Sequence, residues 1–303
     1  MEDFGIIIHY GLYSYYGYDD IRSVKNRKTQ NGSEWYYGRL IDNNKFRPIS
    51  GHSFTKTYHK KNYKNIDYFD NIDKILTDED KIKEWVNLCK NNKASYIILT
   101  SKHHDGVCLW ETKTTKRKSR YDICKIFSEE CRKQDIKFGF YYSWFEFDKP
   151  FTLNYFNEFC INQLNELCEY NPDYIWFDGH WKITQKTLKI SEILKQIKSK
   201  GIIINDRVKH FLLDDKDFHV YSDRYIPEEK LDIKWQHVNT IGYSWGYNKE
   251  QKDNDYKNGE DIIKLYKKIK EKGGHLLLNI GPKIDGTIHK KEYEALTYFS
   301  LKI

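Results

Sequence analysis

Carboxylates, histidines and an arginine stand at the ends of several apolar stretches of this sequence. The stretch YIWFD, residues 174–178, runs directly into Asp178, and a glycine follows. A lone aspartate after a strand is ordinarily a turn former or a helix cap. Asp178 is one of a set, however, because polar residues also follow five other apolar stretches. They are His9; His103, His104 and Asp105; Tyr141 and Tyr142; Asn205, Asp206 and Arg207; and Asp223, with Glu228 beyond it.

This set of side chains suits the hydrolysis of a glycosidic bond. That reaction needs two carboxylic residues, one that attacks the anomeric carbon and one that protonates the leaving oxygen and then activates water. Asp178 follows a strand and is framed by aromatic residues, so it suits the nucleophile. Asp223 or Glu228, on a loop, suits the acid/base. Neutral histidines and Arg207 can form hydrogen bonds with sugar hydroxyls and the ring oxygen.

Metal-binding patterns are weak by comparison. His103, His104 and Asp105 form an alternative metal site, but no HExxH motif or comparable third ligand stands nearby. The six cysteines contain no CxxC pair, which argues against a zinc site. We therefore expect neither a metal nor another cofactor.

The polar residues need strands to hold them, and the sequence offers eight. Short β-rich apolar stretches occupy residues 4–10, 95–100, 137–143, 174–178, 202–206, 218–223, 235–240 and 275–281. Most are continuously apolar, as is typical of parallel strands buried on both faces. Helical patterns cover residues 78–92, 123–134, 153–170, 184–200 and 259–273. Strands that alternate with helices predict βαβ units.

Eight strands in a chain of this length predict an α/β fold, a (β/α)8 TIM-like barrel. An open doubly wound sheet is the alternative, but the turn HYGLYSYYG after the first strand lacks a glycine-rich phosphate motif. We expect residues 1–303 to form one catalytic domain, with 43–77 as a long loop excursion. In a barrel the carboxyl ends of the strands meet at one face, so the polar residues gather there.

Charge and hydrophobicity limit the classes of partner and the compartment that we expect for this protein. The net charge is +7, and the densest basic run, residues 113–120, reads as a solvated loop and not as a nucleic-acid site. No apolar run is long enough for a membrane span. The first residues lack the pattern of a secretory leader. We expect an intracellular, cytoplasmic protein, or a secreted or lysosomal one if the N-terminus is incomplete.

Longer motifs in the sequence resemble those of glycoside hydrolase family 29, the retaining α-L-fucosidases. FGIIIHYGLYS is similar to the family's FGIFIHWGLYS, YIILTSKHHDGVCLW to YxVLTxKHHDGFxLW, and PDYIWFDG to PDxxWFDG. EWYYGRL, FGFYYS, INDR, TIGYSWGYN and GGHLLLNIGPKIDGTI also match family patterns in order along nearly the whole chain. The resemblance implies a barrel fold and hydrolysis of terminal α-L-fucose through a covalent glycosyl-enzyme intermediate.

The resemblance also implies a role for individual residues. Asp178 falls on the nucleophile of WFDG. The residues that fall on or beside the fucose pocket are His9, Glu34, Trp35, His103, His104, Trp110, Tyr142 and Arg207. SDRYIPEEK is similar to the family's GDxxTPE segment, so Glu228 takes the position of the acid/base, while Asp223 is the alternative.

The chain departs from the family pattern in several respects, among them the following two. The family's WE dipeptide reads Trp235-Gln236, so a carboxylate is absent there. No β-sandwich pattern follows the barrel, so we expect a bare catalytic domain. A catalytically inactive fucose-binding protein and a retaining glycosidase for another sugar are the alternatives. The expected partner is a fucosylated glycan, and neither a nucleic acid nor a membrane.

Overall fold

The computed structural model describes residues 3–26, 32–44, 49–76, 78–183, 190–208 and 216–303. These residues form one curled sheet of eight parallel strands in the order β5-β4-β3-β2-β1-β8-β7-β6. The strands are β1 (Phe4–Ile8), β2 (Tyr96–Lys102), β3 (Lys137–Ser143), β4 (Tyr174–Asp178), β5 (Ile203–Ile204), β6 (His219–Val220), β7 (Trp235–Thr240) and β8 (His275–Ile280). The eight predicted strands are confirmed, although β5 and β6 are only two residues long.

Helices connect most of the strands, as the sequence predicts. They are α1 (Tyr13–Tyr16), α2 (Ile21–Asn26), α3 (Tyr36–Ile41), α4 (His52–Tyr63), α5 (Glu79–Asn91), α6 (Ile123–Lys133), α7 (Leu153–Tyr155), α8 (Ile161–Cys168), α9 (Ile190–Ser199), α10 (Gly259–Glu271) and α11 (Lys290–Ser300). A π-helical segment, Phe156–Cys160, joins α7 to α8. The predicted helices at 78–92, 123–134, 153–170 and 259–273 are confirmed. Of the helix predicted at 184–200, residues 184–189 lie outside the described ranges and α9 covers most of the rest.

Local sequence explains why these helices form where they do. In α5 the Asp78 side chain accepts a hydrogen bond from the backbone N–H of Asp80, which caps the helix start. Ile82, Trp85 and Val86 then recur at helical spacing and are buried in the cluster between sheet and helices. Helix α10 begins with a reciprocal capping box between Asn258 and Asp261.

The core has two layers, one on each face of the sheet. Successive side chains of a strand point to opposite faces, so each strand contributes to both layers. Strand β4 is an example. Tyr174 and Trp176 join a cluster inside the curl of the sheet, while Ile175 and Phe177 join the cluster between sheet and helices. Asp178 shares the parity of Trp176, so its side chain faces the interior.

The two end strands of the sheet approach one another. A single parallel bridge links Asn205, just after β5, to Phe218, just before β6. The backbone N–H of Asp217 donates to the carbonyl of Ile204 at 2.9 Å, and the Ile204 N–H donates to the Asp217 carboxylate at 2.9 Å. Because the eight strands are parallel, their carboxyl ends lie along one edge of the curled sheet.

The predicted loop excursion, residues 43–77, lies between β1 and β2 and is partly helical. It carries α4 and a 3-10 segment, Tyr68–Lys74, while residues 45–48 and 77 lie outside the described ranges. The sequence pattern missed α4 because that helix buries little: Thr55 and His59 are its buried residues. In the described ranges no helix combines the length and apolar character that a bilayer crossing needs.

Candidate active site

A cavity of about 520 Å³ opens at the carboxyl ends of the strands. Eight residues with a predicted catalytic or pocket role line it: His9, Glu34, Trp35, His103, His104, Asp178, Arg207 and Asp223. They come from separate segments of the chain, so the curl of the sheet is what brings them together. The size of the cavity lies in the range of small-molecule sites.

Asp178 is buried at the end of β4 and is held by three neighbours. Tyr141 donates from its hydroxyl to Oδ2 at 2.9 Å, and Arg207 donates from Nη1 to Oδ1 at 2.8 Å. Nε2 of His104 lies 3.6 Å from Oδ2. Burial on its own raises the pKa of Asp178, but the charge and hydrogen bond of Arg207 and the Tyr141 hydroxyl outweigh it, and the net pKa is lowered. The Asp178 carboxylate is therefore ionised at neutral pH.

Arg207 links Asp178 to a second carboxylate. Its Nη2 donates to Oδ1 of Asp223 at 2.5 Å and to the carbonyl of Tyr221 at 3.1 Å. The guanidinium also lies over the ring of Trp176, with its carbon 4.7 Å from the ring centroid. Burial lowers the pKa of Arg207, but the two carboxylates raise it more, so its charge is permanent.

Three buried histidines line the floor as neutral imidazoles. Nδ1 of His9 lies 2.5 Å from Oδ1 of Asn279, and burial lowers the pKa of His9 to about 4 although that hydrogen bond opposes the shift. The ring of His103 stacks on Tyr141, with the ring centroids 5.3 Å apart. Burial is also the largest cause that lowers the pKa of His103 and of His104. Neutral imidazoles both donate and accept hydrogen bonds, which suits sugar hydroxyls.

Glu34 lines the cavity and is held in place by backbone hydrogen bonds. Its Oε1 accepts from the Gly32 N–H at 2.6 Å, and its Oε2 accepts from the Gly246 N–H at 3.1 Å. Burial raises the pKa of Glu34, and those backbone hydrogen bonds partly offset the rise. Trp35, beside it, packs edge-on against His104 with ring centroids 5.5 Å apart. The short 3-10 segment Ser33–Trp35 thus presents both residues to the cavity.

Three of the residues with a predicted catalytic or pocket role do not line the cavity. Tyr142 neighbours Tyr141 on β3, so it has the opposite parity and faces the helices, where its hydroxyl donates to Gln163 at 2.8 Å. Trp110 is buried and donates from Nε1 to Glu166 at 2.9 Å, on the outer layer. The structure therefore places Tyr142 and Trp110 outside the cavity lining, where the family resemblance had implied a place in or beside the pocket.

Glu228 also stands apart from the lining. It is an exposed residue of the loop after β6, and its backbone carbonyl accepts a hydrogen bond from Lys272. Asp223, five residues earlier, lines the cavity. In the observed conformation only Asp223 of these two predicted acids lies within the site.

Several lining residues were not singled out from the sequence. They are Ile7, Trp176, His180, Trp181, Val220, Tyr221, Ser222, Val238 and Trp245. Tyr141, named above only as a polar residue at a strand end, also lines the cavity. Strand parity was the signal available for Trp176. Tyr141 pairs with Trp176 in the β3–β4 register, and Trp176 shares the face of Asp178.

The alternative metal site finds no support in the placement of Asp105. Its Oδ2 accepts from the Tyr68 hydroxyl at 2.8 Å, and its Oδ1 accepts from the Val107 N–H at 3.1 Å. It is not among the residues that line the cavity. Across the part of the chain that the structure describes, no group of three or more His, Cys, Asp or Glu is arranged to hold a metal ion.

The arrangement suits attack by a carboxylate on an electrophilic carbon inside a pocket of hydrogen-bonding groups. Asp178 is ionised, buried and fixed by hydrogen bonds from Tyr141 and Arg207, so it is oriented before any ligand arrives. The histidines and Arg207 supply hydrogen-bonding groups around it, and aromatic rings contribute to the rest of the lining. A cavity of this size, lined by hydrogen-bonding groups, favours a small polyhydroxylated ligand.

Comparisons with known proteins agree on one family. The sequence profile described as Alpha-L-fucosidase matches residues 2–300. The "Alpha-L-fucosidase" of Dictyostelium discoideum is 28% identical over 319 residues, which cover 97% of this chain and 66% of that protein. The "Plasma alpha-L-fucosidase" of Homo sapiens is 28% identical over 316 residues, which cover 94% of this chain and 62% of that protein. The chain thus spans just under two thirds of the length of these relatives.

A solved structure shows the same likeness. The crystal structure of Thermotoga maritima alpha-fucosidase superimposes with a TM-score of 0.80 at 30% identity, over 99% of this chain and 71% of that chain. The Thermotoga enzyme has also been solved in complex with fucose.

Proposed function

The chain belongs to the alpha-L-fucosidase family, and from this premise we propose that it is a retaining glycoside hydrolase that releases terminal α-L-fucose from glycans. The observation that carries the proposal is Asp178, a buried carboxylate kept ionised by Arg207 in the cavity at the strand ends. The known complex of the Thermotoga alpha-fucosidase with fucose supports this choice of sugar.

In the first step, an Asp178 oxygen attacks the anomeric carbon of the fucose. The bond from that carbon to the aglycone oxygen breaks, and the aglycone oxygen takes a proton from the acid/base residue. The product is an ester between Asp178 and the sugar. Because Arg207 and Tyr141 hold the carboxylate by hydrogen bonds before the substrate binds, little reorganisation is needed for the attack.

In the second step, water replaces Asp178. The acid/base residue, now a carboxylate, takes a proton from the water, whose oxygen bonds to the anomeric carbon while the ester bond breaks. Asp178 returns as a carboxylate, and α-L-fucose leaves with the configuration it had in the substrate. No cofactor enters either step.

The segment after β6 supplies the acid/base in this proposal. Glu34 is unsuited to the role, because both of its oxygens accept hydrogen bonds from backbone N–H groups. Asp223 lies in the cavity and shares Arg207 with Asp178. Its position favours Asp223 over Glu228, whereas the sequence resemblance favours Glu228.

The fold that holds this site is, we propose, a closed (β/α)8 barrel made by residues 1–303 as one catalytic unit. The parallel bridge between Asn205 and Phe218 supports closure, because it joins the two ends of the sheet. Layered burial inside and outside the strands also fits a barrel.

A panel of nitrophenyl glycosides tests the function. The purified chain should release nitrophenol from the α-L-fucoside far faster than from other glycosides, and NMR should detect α-L-fucose as the first product. Asp178→Asn, purified in the same way, controls for a contaminating hydrolase. No release from the fucoside, or β-L-fucose as the first product, would overturn the proposal.

A further inference from the structure

Two buried polar side chains behind the cavity lining each contact one of its histidines. Nδ1 of His9 lies 2.5 Å from Oδ1 of Asn279 on β8, and Nδ1 of His104 lies 2.7 Å from Oγ of Ser143 at the end of β3. Ser143 and Asn279 are fully buried and are not among the residues that line the cavity. A neutral imidazole has one N–H, so these contacts at Nδ1 also decide the protonation of Nε2, the second ring nitrogen.

The hydrogen bonds of Asn279 decide which nitrogen of His9 carries the proton. The amide nitrogen of Asn279, Nδ2, donates to the backbone carbonyl of Trp245 at 2.7 Å. A reversed amide would set two oxygens against each other at that distance, so Oδ1 is the atom that faces His9. Because an amide oxygen only accepts hydrogen bonds, Nδ1 of His9 carries the proton. Burial lowers the pKa of His9 to about 4, so the ring is neutral at pH 7 and its Nε2 has no proton.

Ser143 fixes the proton of His104 by a similar argument. A hydroxyl has one proton, and the carbonyl of Phe145 accepts that of Ser143 at 2.7 Å. If Ser143 donated to His104 instead, its oxygen and the Phe145 carbonyl oxygen would face each other with no proton between them. In the favoured arrangement Nδ1–H of His104 donates to Ser143, which donates to Phe145. Burial also lowers the pKa of His104, so this ring too is neutral and its Nε2 is an acceptor.

This tautomer of His104 is the opposite of the one that Asp178 favours. Nε2 lies 3.6 Å from Oδ2 of Asp178, which is too long for a hydrogen bond, but the ionised carboxylate would attract a proton on Nε2. The contact with Ser143 keeps the proton on Nδ1 instead. Oδ2 already accepts from Tyr141, so Nε2 and the carboxylate are neighbouring acceptors. A ligand that supplies a hydroxyl donor would satisfy Nε2.

We propose that Ser143 and Asn279 are positioning residues that hold His104 and His9 as Nδ1–H tautomers, so that the site selects sugars whose hydroxyls donate to the two Nε2 atoms. The identity of the sugar rests on the proposed function, whereas the tautomers follow from the geometry alone. A site built from such acceptors discriminates against an analogue that cannot donate, because a buried acceptor is then left unpaired or faces another acceptor.

Nitrogen NMR tests the tautomers directly. In protein with isotope-labelled histidine, a protonated ring nitrogen resonates well upfield of an unprotonated one, and His9→Gln and His104→Gln identify the two rings by the loss of their signals. Both rings of the unchanged chain should have a protonated Nδ1 and an unprotonated Nε2. In Ser143→Ala the proton of His104 should move to Nε2. In Asn279→Leu the proton of His9 should distribute over both nitrogens. Ser101→Ala removes another buried strand hydroxyl, one that donates to a backbone carbonyl, and as the matched control should leave both rings unchanged.

Substrate analogues test the consequence for specificity. Nitrophenyl α-L-fucosides with fluorine or hydrogen in place of the 3- or 4-hydroxyl all lack the donor, but fluorine also presents lone pairs. An unprotonated Nε2 therefore disfavours the fluoro analogue relative to the deoxy analogue, whereas Nε2–H does not. For the hydroxyl that contacts His104, the ratio of kcat/KM for the fluoro to the deoxy analogue should rise about fivefold in Ser143→Ala, the size of one neutral hydrogen bond. The ratio should stay unchanged in Ser101→Ala. The intrinsic reactivity of the analogues cancels, because protein variants are compared on the same substrates.

The outcomes separate the tautomers from the function. A protonated Nε2 in His9 or His104 of the unchanged chain overturns the assignment for that ring. A proton that stays on Nδ1 in Ser143→Ala or in Asn279→Leu overturns the role of that side chain. An unchanged ratio for both hydroxyl positions in Ser143→Ala overturns the effect on specificity. If the unchanged chain hydrolyses none of the fucosides while both rings have an unprotonated Nε2, the proposed function fails and the tautomers stand.

Discussion

Arg207 donates a hydrogen bond from Nη1 to Oδ1 of Asp178 at 2.8 Å, although 29 residues separate them in the chain. Both side chains are buried, so the interaction is only weakly screened by solvent and salt. The permanent charge of the guanidinium keeps the carboxylate ionised where burial alone would favour its neutral form. The electrostatics of the whole site depend on this pair.

Removal of the nucleophile Asp178 should abolish activity, and a small external nucleophile should restore it. Asp178→Gly should lower kcat on nitrophenyl α-L-fucoside on the order of 10⁴-fold, because no covalent intermediate can form. Azide fits the vacated space and should restore turnover, with β-L-fucosyl azide as the product by NMR. Asp206→Gly, which removes a carboxylate outside the cavity lining, is the comparison. Rescue that yields the α-azide would contradict the role of Asp178.

Loss of Arg207 should shift the pH profile upward. Arg207 lowers the pKa of Asp178, so Arg207→Ala raises that pKa, and the ionised nucleophile then requires a higher pH. The acid limb of kcat/KM should move up by about one pH unit or more. α-L-Fucosyl fluoride is the substrate of choice, since its leaving group needs little acid assistance. Arg207→Lys keeps a charge and should move the limb less, so equal shifts in the two variants would count against this electrostatic account.

The two adjacent tyrosines of β3 should differ sharply in their effects. Tyr141→Phe removes a hydrogen bond to an ionised carboxylate and should lower kcat/KM roughly tenfold to a hundredfold. Tyr142→Phe removes a hydrogen bond on the outer face and should cost about 1 kcal/mol of unfolding free energy with little change in kcat/KM. Steady-state kinetics and urea unfolding measure both effects. A larger loss of kcat/KM in Tyr142→Phe than in Tyr141→Phe would support the prediction from the sequence that Tyr142 lies in the fucose pocket.

The acid/base can be assigned by leaving-group dependence. Because Asp223 lies in the cavity, Asp223→Asn should lower kcat/KM by about 10²- to 10⁴-fold on fucosyl-α-1,2-galactose, whose leaving group needs protonation. It should lower kcat/KM much less on the fluoride. Glu228→Gln is the matched variant and should have a small effect on both substrates. A leaving-group-dependent loss in Glu228→Gln, with azide giving the α-azide, would assign the role to Glu228 and require its loop to close.

Acid should destabilise the fold through His9. Its pKa in the folded protein is about 4, against 6.5 for a free imidazole, because burial disfavours the charged form. The unfolded chain therefore binds more protons between these values. Stability from His9 is complete above pH 6.5 and is lost as the pH falls toward 4, by up to about 3 kcal/mol. Urea unfolding between pH 7 and 4 measures the slope, which should be flatter in His9→Gln. An unchanged slope would show that His9 does not carry this effect.

More of the fold than of the site could be predicted from the sequence. The eight strands and the main helices follow local rules, because apolar runs, helical spacing and caps act within a few residues of one another. Helix α4 escaped prediction, since it lacks a broad apolar face. Among site residues, Asp178, His9 and Arg207 stand at strand ends and could be named in advance.

The sequence by itself determined which chemical groups are available and that they follow consecutive strands, since both are properties of short segments. Only the tertiary structure decided which of them meet. The register of β3 against β4 turns Tyr141 toward Asp178 and Tyr142 away. Glu34 is fixed by Gly246, 212 residues along the chain, and Asp223 reaches the cavity while Glu228 does not. Such contacts depend on strand order and curl, which local periodicity does not encode.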